Sequence, residues 1–84
     1  MTETKVGEVF SFFPKPGVAA LRMTNGTLKV GDRIHVLGHT TDFTQTVNSI
    51  QVEHNQVGEA NAGDQVGIKV ESRVRPNDTV YRIE

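Results

Sequence analysis

Two dipeptides, Gly31-Asp32 and Gly63-Asp64, constrain this chain more than any other feature. Each opens a short run in which apolar residues alternate with polar ones: Ile34 and Val36 after the first, Val66 and Ile68 after the second. Asn77-Asp78 repeats the device before Val80 and Ile83. Glycine adopts the positive φ that most residues resist. An aspartate beside it accepts hydrogen bonds from nearby backbone amides and fixes the turn. The alternation that follows buries one face of a strand. A chain punctuated in this way folds as a small β structure.

The remaining segments fit that reading. Lys5 to Phe13 forms a first strand, and Pro14-Lys15-Pro16-Gly17 reverses it into a second over Val18 to Met23. Asn25-Gly26 carries the strongest short hairpin signal. Strands follow over Asp32 to Leu37, Phe43 to His54, Gln65 to Val70 and Thr79 to Ile83, with Gly38 to Asp42 and Asn55 to Asp64 as loops. In the long fourth strand Phe43, Gln45 and Val47 share one parity and Ile50 and Val52 the other, which predicts a bulge near Asn48-Ser49. Three phenylalanines, Phe10, Phe12 and Phe13, end the first strand on both faces, so one or two of their rings are expected to be partly exposed. Nowhere do apolar residues recur at helical spacing over three turns. The expected architecture is an all-β, small closed barrel of six to seven strands, Greek-key-like, with Val9, Leu21, Ile34, Val36, Ile50, Val52, Val66 and Ile68 inside. Residues 1–4 are read as a flexible N-terminal tail and residues 5–84 as one domain.

With 84 residues the chain holds one modest core. It has no cysteine, no leader-like N-terminus and no run approaching the ~20 apolar residues of a membrane span. These features fit a cytoplasmic protein. Net charge is -1, whereas dedicated nucleic-acid binders are usually basic. Any RNA contact must therefore come from a local patch. The chain carries neither a phosphate-binding P-loop nor a G-x-S-x-G nucleophile motif. His35, His39 and His54 lack the close, single-face spacing of metal ligands and are read as solvent-facing. Asp42 near His39 has no nucleophile beside it. No catalysis, metal, cofactor or nucleotide is expected.

Gly7-Glu8-Val9 and Leu28-Lys29-Val30-Gly31-Asp32-Arg33-Ile34, followed by Val47-Asn48-Ser49-Ile50-Gln51 and Ala60-Asn61-Ala62-Gly63-Asp64-Gln65-Val66-Gly67-Ile68, form an ordered set. In order and spacing they resemble the second, β-barrel domain of translational GTPases of the elongation factor Tu type. The chain is even more similar to the small barrels that end collagenase-like bacterial peptidases, where the 38–43 loop and the Val74-Arg75…Asp78-Thr79-Val80-Tyr81 ending also fit. The resemblance implies a translation-protein barrel without its GTPase domain. In the elongation factor the barrel helps hold the aminoacylated end of tRNA.

On that resemblance, His39, Thr40, Thr41, Phe43 and Gln45 are candidate RNA-contacting residues, able to hydrogen-bond and stack on an unpaired base. Read by parity, Lys69, Glu71, Arg73 and Arg75 lie opposite Val66, Ile68 and Val70 and face solvent as a partly basic stripe, whose cations, with Arg33 and Arg82, are candidate phosphate contacts. The plainer reading is a solvated loop with Phe43 in the core and a mixed surface interrupted by Glu71. Asp32, Asp64 and Asp78 are read as turn fixers. Two functions stay open: a module contacting tRNA or ribosomal RNA, and a protein-docking or structural barrel for a larger enzyme or factor.

Overall fold

The computed structural model describes residues 2–84. It is all-β, and no helix occurs among the described residues. The first hairpin joins β1 (Glu3–Phe13) to β2 (Val18–Met23). It closes through Gly17, at φ 68°, whose N–H donates to Phe13 O at 3.0 Å. A bulge between Val9 and Ser11 leaves Phe10 unpaired with β2. The expected tail of residues 1–4 begins on Met1, outside the described residues. Of the rest, Glu3 and Thr4 already pair with Ile83 and Arg82, so the strand starts two residues before Lys5. At the same end Glu84 N donates to Thr2 O at 2.8 Å.

Asn25-Gly26 turns the chain, with Gly26 at φ 66°, but makes no hairpin. The amides of Thr24 and Asn25 both donate to Val6 O. The chain then leaves the main sheet as β3 (Thr27–Lys29), which pairs with β8 (Glu59–Asn61). The remaining strands are β4 (Arg33–Leu37), β5 (Asp42–Thr46), β6 (Ile50–Val52), β7 (Asn55–Val57), β9 (Gln65–Lys69) and β10 (Thr79–Ile83). The long fourth strand is thus two, broken at 47–49 where the parity conflict lies. The stretch from Asn55 to Asp64 is mostly strand rather than loop.

The turn aspartates all act alike. Oδ2 of Asp32, Asp64 and Asp78 accepts from the amides of Lys29, Asn61 and Arg75 at 2.9, 2.8 and 2.8 Å. Each aspartate amide donates back to the carbonyl of the same residue. The residue before each, Gly31, Gly63 or Asn77, has φ of 100°, 95° or 78°. Three corners of the fold are one local motif, and each starts the chain toward a core-lining strand.

The main sheet has eight strands in the order β5-β4-β10-β1-β2-β9-β6-β7. Among the described residues, the expected closed ladder of six to seven strands is therefore replaced by ten strands in two open sheets. The physical reason lies at β5. Opposite the end of β9, a side chain stands where a backbone ladder would run. Gln45, buried at 2% exposure, donates from Nε2 to Lys69 O at 2.9 Å and accepts at Oε1 from Glu71 N at 2.8 Å. Inside lie Val9, Leu21, Ile34, Val36, Ile50, Val66 and Ile68 as expected, joined by Val6, Met23, Leu28, Val47, Val74 and Val80. Val52 and Phe12 are half-buried against that core. Phe10 and Phe13 are exposed by 39% and 50%.

Candidate functional site

The β4–β5 loop is built tightly onto the corner at 75–78. Gly38 N donates to Thr41 O at 2.7 Å, and Thr41 is buried. A Cβ at Gly38 would meet Asp78 Oδ1 at 1.8 Å, so only glycine lets the loop approach that carboxylate. The approach gathers His39, Thr40 and Arg75 around a hollow of about 280 Å³, whose other walls are Pro76, Asn77 and Asp78. These three residues are the part of the anticipated set that the fold brings together.

The rest is dispersed. Thr41 is covered by the loop it closes. Phe43 is half-buried opposite Val36 and packs on the core. The Gln45 amide is engaged with the backbone across the seam. Lys69 is exposed at the last position of β9. Arg73 and Arg75 are exposed in the irregular connection between β9 and β10, so the stripe of one strand parity anticipated from Lys69 to Arg75 does not form. Arg33 donates to the hydroxyls of Thr46 and Thr44 at 3.4 and 3.1 Å. Arg82 donates to Thr27 O and reaches Glu84 Oε1 at 2.6 Å.

The acid–base partner of Asp42 is His35, not His39. His35 stands on the outer side of β4, with Glu3 Oε1 2.8 Å from Nδ1 and Asp42 Oδ1 2.6 Å from Nε2. A neutral imidazole carries a proton on one nitrogen only. Two carboxylates, one on each nitrogen, are therefore satisfied by the imidazolium. Hydrogen bonding to Glu3, then to Asp42, holds the His35 pKa above its usual 6.5 against the opposing effect of partial burial. Tyr81, its cross-strand partner on β10, lies with its ring centroid 6.2 Å away. Hairpin register carried the only signal for the Asp42 contact: His35 faces Thr44, which puts Asp42 on the diagonal. Among the described residues no group of three metal-ligating side chains converges.

A second, broader concavity lies over β2 and β9 and was not anticipated. Ala20 on β2 is the cross-strand partner of Gly67 on β9. Two such small residues keep the outer surface of the sheet low there, with Val18 packed beside Gly67. Phe10 and Phe13 rise on one side, and the β6–β7 turn at Glu53-His54 on the other, around about 780 Å³. The available signal was Gly67 inside a strand, which marks a bulge, a bend or a close approach, together with the surplus of phenylalanine at the end of β1.

A family model described as elongation factor Tu domain 2 matches residues 17–72. A collagenase of Porphyromonas gingivalis is 36% identical over 83 residues, which are 98% of this chain and 23% of that protein. An uncharacterized protease of Methanocaldococcus jannaschii is 36% identical over 81 residues, 95% of this chain and 20% of its own length. The crystal structure of the C-terminal domain of a Geobacillus thermoleovorans protein assigned to the U32 peptidases superposes with a TM-score of 0.88 at 25% identity, covering 98% of this chain and 93% of that one. The chain thus spans about a fifth to a quarter of the length of the curated relatives it matches.

Proposed function

The chain belongs to the elongation factor Tu domain 2 family, and from that premise we propose that it is a non-catalytic β domain working by contact, as an accessory module of a longer peptidase-family protein. The observation that carries this reading is the apolar concavity flanked by Phe10 and Phe13. Monomeric domains seldom leave large apolar side chains grouped on one face unless that face meets something. The peptidase relatives, four or more times as long as the match, supply the context. In this reading the fold is a barrel whose last seam is joined by the Gln45 amide.

Removing the matching segment from the Porphyromonas gingivalis collagenase tests the proposal. Cleavage of short peptides by that protein is expected to persist while turnover of a macromolecular substrate falls. Loss of both together would make the segment part of the catalytic unit and overturn the reading.

One observation favours a second reading, contact with tRNA or ribosomal RNA. His39, Thr40 and Arg75 share one hollow, and exposed Arg73 and Lys69 add cations. Thr41, Phe43 and Gln45 would hold the loop in place. Binding through so few cations would be weak and fall steeply with salt. Replacing Arg73 and Arg75 together by Glu is expected to abolish it without lowering the melting temperature. No retardation of either RNA at low salt would end this reading.

A further inference from the structure

We propose that the groove between the β1–β2 hairpin and the β6–β7 turn holds an extended peptide segment in which a bulky apolar side chain is flanked by lysine or arginine. The inference rests on the contact reading above and names the chemistry of the partner.

The groove's volume of about 780 Å³ lies within the roughly 300–1,000 Å³ typical of ligand clefts. Its floor is the Ala20–Gly67 pair, with Val18 beside Gly67 close enough that a Cβ there would meet Val18 Cγ1 at 3.1 Å. Val18 thus covers the space beside Gly67, and an incoming side chain would rest on Ala20 and Val18. Phe10, Phe13 and Val52 present apolar walls.

The far wall is held in an uncommon conformation. Glu53 and His54 both have positive φ, 50° and 68°, where the chain elsewhere places glycine or asparagine. The two-residue β6–β7 hairpin turn needs positive φ at both positions, which Glu53 and His54 adopt at some cost in strain. The two side chains stand at the groove, where Gly-Gly would turn the chain with less strain.

Charge then selects the occupant. Glu53 and Asp64 line the groove, and none of its lining residues is lysine or arginine. Arg22, on the same face of β2, is held over the Phe10 ring with its guanidinium carbon 5.4 Å from the ring centroid. Carboxylates at the margin of an apolar trough repel a phosphate backbone and attract cations beside an apolar anchor.

The test uses the 84-residue chain and short synthetic peptides sharing a Leu-Phe-Leu centre, flanked by lysines, serines or glutamates. Amide shifts are followed by NMR, with tRNA as a further titrant. The lysine-flanked peptide is expected to shift Ala20, Val52, Glu53 and Gly67. It should bind about tenfold more tightly than the glutamate-flanked one, as two screened ion pairs supply. Ala20→Leu, which fills the floor, should abolish those shifts with the melting temperature retained. Phe13→Ser, at a half-exposed site, should weaken binding independently. Equal binding of all three peptides, shifts confined to another face, or tRNA displacing the peptide from these residues would each overturn the proposal. If no peptide binds but segment removal still lowers macromolecular turnover, the proposed occupant is wrong and the contact module stands. If neither effect appears, both fall.

Discussion

At the residue scale, the clearest titrating group is His35. Its pKa is raised because Glu3 and Asp42 bond to the imidazolium. The native state therefore holds the proton more tightly than the unfolded chain. Such a contribution is complete below the unfolded value, near 6.5, and is lost as pH rises through the higher folded value. Denaturation melts across that window should show stability declining with pH, and His35→Gln should flatten the decline. In the core, Ile34 and Val66 are both buried. Truncating Ile34 to Ala is expected to cost about 2–4 kcal/mol, read as a lower urea midpoint. A change under about 0.5 kcal/mol would misplace it, since only surface positions vary so little.

At the element scale, local signals were legible and distant ones were not. The three aspartate corners were readable because donor and acceptor lie three residues apart. The parity of Val47 and Ile50 located the irregularity at 47–49, but as a bulge in one strand rather than the break that separates β5 from β6. Asn25-Gly26 misled, because Val6, far earlier in the chain, captures the Thr24 amide that a hairpin would have paired with Thr27. Gln45 looked available for RNA because its partners, Lys69 and Glu71, lie 24 and 26 residues away. The outer-face groove was hidden for the same reason: Ala20 and Gly67 are neighbours only through the β2–β9 register. Gln45→Ala would leave Lys69 O and Glu71 N unpaired, at about 1–3 kcal/mol for such a loss. Hydrogen exchange should then quicken both along β5 and at 69–71, segments that share no backbone ladder. Acceleration confined to β5 would mean the side chain does not join them.

At the scale of the whole molecule, the hollow at the 38–41 loop and the trough over β2 and β9 share no lining residue, and one core is shared by both sheets. The bond from Glu84 N to Thr2 O bears on this arrangement. The polypeptide leaves the fold where it came in, so its path is nearly a ring. A permuted gene, with Glu84 joined to Thr2 by a short glycine linker and new ends cut between His54 and Asn55, should give a protein with an unchanged circular dichroism spectrum and a cooperative melt, because chains whose ends meet at the surface tolerate permutation. A molten or insoluble product would show that folding depends on the order of synthesis as well as on the contacts. In mechanical terms, a pull applied between Thr2 and Glu84 would load the β1–β10 pairing first, since Glu3 and Ile83 are partners there.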